Sequence, residues 1–282
     1  MNDQRRRDAA DSVALLTVEG PASRVLANVL NAAGLLHLIV IESPPSTRLT
    51  WAARRLLRDL VRVFRRRSAI GSRIPPERHI ESELLNAAQR RVTEHYPASY
   101  SEWPSSVPRL GVDDLNGDQC RDALAAQRPE VIAVFRTKIL HKSVFNLARL
   151  GAVNCHYSLL PEYRGTFVEF WQRLNRDLQT AGVTFHFLDE GVDTGDIIAS
   201  IAHNDLPDDV TPFDLRYRNY MLMLEHYPGI LRSVLDGQCD RRPQPHRSSR
   251  AYRSRDVTDE RRRDLYRQLG LLTYPHRAGG GS

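Results

Sequence analysis

Two short apolar runs, SVALLTV at residues 12–18 and LLHLIVI at residues 35–41, are separated by little more than one helix length. Continuous apolar runs of this size, bounded by turn residues, are strands buried on both faces. Between them, residues 22–33 read as a helix that stops near Gly34. A strand, a helix and a strand in that order require a crossover, and the crossover makes the two strands parallel. The chain therefore begins as an open α/β sheet rather than as a meander or a bundle.

Residues 43–110 break this rhythm with proline-rich turns (PPS, IPPE, WPSS) and helical stretches, and we read them as an insertion. The rhythm then resumes. A helix is expected over 120–127, a strand over 131–135 and a helix over 142–150 that stops at Gly151. The next strand, 152–156, carries Asn154 and His156 on one side by alternation, with Cys155 pointing the other way. A helix over 168–174 and a strand over 182–188, with Thr184 and His186 on one face, lead to a further strand at 197–201. Thr211-Pro212-Phe213-Asp214 has the capping hydroxyl and first-turn proline of a helix start. That helix is expected to run towards Gly237 and to kink at Pro228. Past Ala251 the chain is charged, helical over 257–271, and ends in an AGGGS stretch expected to be disordered. The division this implies is one α/β domain over 1–205, interrupted at 43–110, and a helical extension over 206–282.

Composition removes several classes. A chain of 282 residues buries a full core without staples. Cys120, Cys155 and Cys239 are scattered and form no CxxC or Cys/His cluster, so neither a metal site nor a disulfide framework is expected. No apolar run is long enough to span a bilayer, and the first twelve residues lack the apolar core of a signal peptide. We expect a cytoplasmic protein with no membrane partner. The net charge of +6 is local: residues 48–67 hold eight arginines against the single acid Asp59. Leu57, Leu60, Val61 and Phe64 recur there at helical spacing, so the segment reads as a helix packed by that stripe with solvated arginines. A site for a phosphorylated substrate, or a contact with an acidic surface, is the sharper alternative. Charge this localised does not mark the whole chain as a nucleic-acid binder.

Two segments stand apart. One is Asn154-Cys-His156-Tyr-Ser158-Leu-Leu-Pro161-Glu-Tyr163-Arg164-Gly165; the other runs from Gly182-Val-Thr184-Phe-His186 through Asp189-Glu-Gly191-Val-Asp193-Thr-Gly195-Asp196. Both follow strands, where an open α/β sheet places its ligands. Together they resemble the catalytic core of the folate-dependent formyltransferases, among them the methionyl-tRNA, glycinamide ribonucleotide and sugar N-formyltransferases. The resemblance covers residues 130–200 well and the first two strands loosely. The fold it implies is α/β: a Rossmann-like parallel sheet formyltransferase core with a helical insertion and a short C-terminal extension.

The resemblance implies that a formyl group passes from N10-formyltetrahydrofolate to a primary amine. Asn154, His156 and Asp193 match the family's catalytic residues. Amide and imidazole N–H groups suit the negative charge that develops on the formyl oxygen, and a carboxylate can orient the imidazole and accept the amine's proton. His186 is expected to support the loop by hydrogen bonding, and Ser158 to satisfy its turn. Pro161 resembles a proline that follows a cis bond. Lys138, Ile139 and Leu140 align with an element whose backbone lines the pterin pocket, with lysine here in place of arginine. Leu188, Asp189, Glu190, Gly191 and Val192 would close its other side. Tyr163 and Arg164 are candidates for the acceptor side, whereas the spacing of Phe167 and Trp171 favours core.

The acceptor is less constrained. A single glycine, Gly20, remains after the first strand and Glu19 sits beside it, which disfavours a phosphate loop for glycinamide ribonucleotide. The residues after Gly237 are too few and too charged for the β-barrel that methionyl-tRNA enzymes add. The expected acceptor is an amino-sugar, nucleotide-linked, or another small amine. An aminoacyl-tRNA is the alternative, as is water in a formyltetrahydrofolate hydrolase. Nucleic acid is disfavoured as a partner, and a homodimer is left open.

Overall fold

The computed structural model describes residues 12–43, 75–245 and 251–272. The arginine-rich segment 48–67, the first eleven residues and the AGGGS end lie outside the described residues. Seven strands form one sheet: β1 (Val13–Val18), β2 (Leu36–Glu42), β3 (Arg109–Val112), β4 (Val131–Phe135), β5 (Gly151–His156), β6 (Gly182–Phe187) and β7 (Ile197–Ala202). Their order is β3-β2-β1-β4-β5-β6-β7. The pairs from β3 to β5 are parallel, as expected. The expectation of a parallel sheet fails at β6, which pairs antiparallel with both β5 and β7. The reversal is made in residues 157–181, between β5 and β6, and the loop 188–196 then turns the chain back into β7.

The helices follow local chemistry. α1 (Pro21–Ala32) begins with proline at its first turn and buries Ala22, Val25, Leu26 and Leu30. It ends where Gly34 turns left-handed at φ +71°, with Leu35 N–H bonded back to the Leu30 carbonyl. α2 (Pro76–Thr93) lies within the stretch read as an insertion, and Val92 enters the main core. That stretch ends in the edge strand β3. α3 (Asp118–Gln127) and the single turn α4 (Lys142–Phe145) cover one face of the sheet over Ala14, Leu16, Ile132, Val134 and Ala152. The expected helix over 142–150 stops short. The N–H groups of Arg149 and Leu150 bond instead to the Pro129 and Glu130 carbonyls at the start of β4, which removes them from any helical ladder.

The opposite face is covered by α1 and by α6 (Pro212–Leu235), with α5 (Val168–Leu174) beside it. Thr211 caps α6 through the Asp214 N–H, and the helix continues past Pro228 to Leu235. Its Tyr227 hydroxyl reaches the sheet backbone, donating to the Val153 carbonyl at 2.6 Å and accepting from Val134 N–H at 3.0 Å. This ties α6 to β4 and β5; a buried hydroxyl without such partners would cost about 1–3 kcal/mol. α7 (Asp259–Gln268) is shorter than the expected 257–271 because Thr258 caps one end and Gly270, at φ +68°, ends the other. It packs on α2, where Glu81 accepts from both Arg262 Nε and the Tyr266 hydroxyl. Phe167 and Trp171 belong to the apolar cluster between α5 and α7, as their spacing indicates.

Candidate active site

The antiparallel pairing of β5 and β6 sets Asn154 opposite His186 and His156 opposite Thr184. All four therefore share one face, and Cys155 turns to the other, into the core under α6. Burial pushes the Cys155 thiol well up, so it is an inert apolar group. The loop after β6 brings in Asp193, whose backbone is left-handed at φ +52°. Its Oδ2 lies 3.4 Å from His156 Nδ1, and its Oδ1 lies 3.6 Å from His186 Nε2. The sequence-derived trio of Asn154, His156 and Asp193 is thus one cluster, with His186 at its centre.

Hydrogen bonds fix the rings. His186 Nδ1 faces the Phe187 carbonyl at 2.9 Å and must carry a proton there, because a carbonyl only accepts. Nε2 then accepts from Asn154 Nδ2 at 3.2 Å. That orients the amide and leaves its second N–H for a ligand. His156 Nε2 donates to the Tyr163 carbonyl at 2.9 Å. Both ring nitrogens of His156 therefore face oxygens.

A turn built by Thr184 holds the loop that follows β5. The Thr184 hydroxyl donates to the Ser158 carbonyl at 2.7 Å and accepts from Leu160 N–H at 3.0 Å. Ser158 closes the turn on the Glu162 carbonyl at 2.6 Å, and the Leu160–Pro161 bond is cis. At the end of the loop, Gly165 N–H donates to Asp193 Oδ2 at 2.7 Å. Gly165 sits at φ +109°, and a Cβ there would stand 2.1 Å from the Tyr252 carbonyl, so only glycine fits. The Tyr163 side chain is buried; its hydroxyl donates to Asp177 and accepts from Asn175, and its ring stacks on Tyr252. Arg164 follows it, with its carbonyl accepting from Tyr252 N–H.

Burial alone would raise the Asp193 carboxyl. The His156 imidazole and the Gly165 N–H beside it overcome that and hold it well below the usual carboxylate range. Asp193 thus stays ionised at neutral pH. Its stabilisation is complete above the ordinary aspartate pKa of about 3.9. It is lost only as pH falls through the lower folded-state value. We expect the Asp193 carboxyl-carbon resonance to stay flat from about pH 9 to about pH 4; a midpoint above that window's lower end would contradict the geometry.

The candidate cofactor walls also meet. Leu140 is buried, and Leu188 packs against the same cluster. Lys142 Nζ reaches Glu190 at 2.9 Å across the two segments. Lys138 turns away, to Asp114 at 2.9 Å and Glu42 at 3.2 Å, while Ile139 is exposed. Asn116, which the sequence did not single out, donates to the Ile139 carbonyl and accepts from His141 N–H, fixing the backbone of this loop. Asp189 accepts from Gly191 N–H and the Thr194 hydroxyl. A Cβ on Gly191 would meet that hydroxyl, so this turn is closed around Asp189 and leads into Val192 and Asp193. Backbone polar groups between apolar walls are what a flat heterocycle needs.

The family model described as formyl transferase matches residues 82–219, which contain Asn154, His156, His186, Asp193 and both candidate cofactor segments. Methionyl-tRNA formyltransferase of Chlorobium chlorochromatii (strain CaD3) is 40% identical over 111 residues, 39% of this chain and 35% of that protein. Its counterpart from Clostridioides difficile (strain 630) is 35% identical over 126 residues, 44% of this chain and 40% of that one. The aligned stretch is thus well under half the length of either relative. Among solved structures, a sugar N-formyltransferase from Shewanella sp FDAARGOS_354 aligns with a TM-score of 0.55 at 12% identity, covering 91% of this chain and 87% of that one. Glycinamide ribonucleotide transformylase 1 from Symbiobacterium toebii aligns with a TM-score of 0.53 at 19% identity, covering 83% and 92%. At these identities the likeness is one of fold. The matched stretch includes α2 from residue 82 onward, β3 to β7 and the first part of α6; β1, α1, β2 and the residues after 219 lie outside it. No group of three or more His, Cys, Asp or Glu side chains among the described residues could hold a metal ion, and no described helix is long and apolar enough to cross a membrane.

Proposed function

We propose that this protein is a folate-dependent N-formyltransferase acting on a small primary amine, with a nucleotide-linked amino-sugar as the leading acceptor. The observation that carries the reading is the cluster of Asn154, His156 and Asp193 at the carboxyl end of β5, inside the family-matched residues. The backbone of residues 138–140 and the loop 188–192 would hold the pterin between Leu140 and Leu188. Bound there, N10-formyltetrahydrofolate supplies the formyl group that the amine receives.

The chain's own groups divide the work. Asn154 offers its second Nδ2–H to a developing oxyanion, since the first is held by His186. His156 offers an N–H of the same kind, which requires exchanging the Tyr163 carbonyl it now meets. Asp193 orients His156 and receives the proton of the attacking amine, directly or through water. Its low basicity means that it passes the proton on to the folate N10 nitrogen, which would depart as its bond to the formyl carbon breaks. Arg164 and the backbone of Tyr163, beside the cluster, face the acceptor side.

The relatives' names make aminoacyl-tRNA the second acceptor to test. The distinguishing experiment follows tetrahydrofolate release from 10-formyltetrahydrofolate with nucleotide-linked amino-sugars, free amines, amino acids and charged initiator tRNA. Release with an amino-sugar or another small amine alone is expected. Release with tRNA alone, with binding that falls steeply with salt, replaces the acceptor. Release without any acceptor makes the protein a hydrolase.

A further inference from the structure

The residues that follow α6 lie outside the family-matched stretch, yet they reach back to the cluster at two points. Arg242 pairs with Ile197 at the start of β7, donating and accepting one backbone bond each. Two residues on, Gln244 Nε2 donates to the carbonyls of Asp193 at 3.1 Å and Gly195 at 2.7 Å. These two carbonyls bracket the turn that aims the Asp193 carboxylate. Further along, Tyr252 lies beside Gly165 as a short parallel bridge: its N–H donates to the Arg164 carbonyl at 2.7 Å, and its carbonyl accepts from Thr166 N–H at 2.9 Å. The Tyr252 ring stacks on Tyr163 with centroids 4.9 Å apart.

Each anchor governs one half of the Asp193–His156 contact. Gln244 holds the left-handed backbone of Asp193. Tyr252 holds the loop whose Gly165 N–H donates to the Asp193 carboxylate and whose Tyr163 carbonyl accepts from His156. We propose that Gln244 and Tyr252 are positioning residues for the reaction, and that the chain after α6 sets the geometry of Asp193 and His156. The proposal rests on the formyltransferase reading for its kinetic consequence, but not for its structural one.

Gln244 uses only the donor end of its amide, because Oε1 is buried without a partner. Gln244→Met keeps the length and removes both donors. Gln244→Glu puts an oxygen against two carbonyls. Removing a group that orients a functional side chain from behind typically lowers activity by about 10–100-fold. Each variant is expected to lose that much kcat, while KM for donor and acceptor stays near wild type. The ring-nitrogen resonances of His156, assigned by their loss in His156→Gln, are expected to move in both variants. Tyr252→Ala should move the same resonances from the other side.

Unchanged His156 resonances together with unchanged kcat would overturn the proposal. A fall in kcat matched by a fall in melting temperature and a rise in KM would also overturn it, in favour of a purely structural segment. If the wild-type protein transfers no formyl group to any amine, but the His156 resonances still move in Gln244→Met, the positioning role stands and the formyltransferase reading falls.

Discussion

Asp193→Asn is expected to lower kcat by about 10²–10⁴-fold, the range for losing a positioned proton-transfer group, while folate binding survives. The substitution is nearly isosteric. An Asn oxygen can still accept from Gly165 N–H, so the loop keeps its main tie. What disappears is the negative charge 3.4 Å from His156 Nδ1 and 3.6 Å from His186 Nε2. With the Tyr163 carbonyl on its other side, the His156 ring then faces no charged partner. His156→Ala removes the other half of the pair and should cost a comparable factor. Single-turnover kinetics and folate titration separate the two effects. Near-full turnover in either variant would remove that residue from the mechanism, and a matching loss of folate affinity would assign it to binding instead.

Glu169→Ala is expected to destabilise the protein by about 3 kcal/mol, the lower end of the 3–5 kcal/mol typical when one partner of a buried pair is removed. Glu169 is 1% exposed and sits on α5. Arg216 on α6 meets it with two nitrogens: Nη2 lies 2.7 Å from Oε2, and Nε pairs with Oε1. Burial pushes the Arg216 guanidinium towards losing its proton, but Glu169 overcomes this and raises its pKa above the ordinary arginine value. Without Glu169 that charge is stranded among Tyr157 and Asn219. One-fifth of the Arg216 side chain reaches solvent, which is why the loss falls at the lower end. Calorimetry should show a fall of roughly 6–12 °C, from about 2–4 °C per kcal/mol in a domain of this size. Glu169→Leu combined with Arg216→Met, which removes both charges, is expected to recover most of it. If the double variant is no better than Glu169→Ala, the pair contributes more than charge balance.

Much of this was legible in the sequence because it is local. β1, α1, β2, β4, β5 and β6 stand within a residue or two of the apolar runs and glycines that mark them. Alternation placed Asn154 and His156 on one face, and the two motifs identified the residues that cluster there. What the sequence missed depends on partners far along the chain. The helix from Lys142 ended early because Arg149 and Leu150 found carbonyls at the start of β4. The reversal of β6 arose in the connection 157–181, which contains α5 and which sequence periodicity reads equally well as a parallel crossover. Asn116 and Gln244 carry no motif of their own; their roles exist only because folding brings them to loops 23 and 49–51 residues away.

Residues close in the chain set the α/β class, the parallel half of the sheet from β1 to β5 and the side chains of the two motifs. These follow from hydrophobic period, turn residues and side-chain chemistry, all of which act over a few residues. How those residues meet, and the reversal of β6, came from packing between distant segments. That packing aimed Asp193 between two histidines, turned Asn154 against His186, and brought the chain after α6 back onto both loops. The physical reason is that a carboxylate's basicity, an amide's orientation and a left-handed backbone are each set by what lies within hydrogen-bonding distance, and that neighbourhood comes from segments tens of residues apart in the chain.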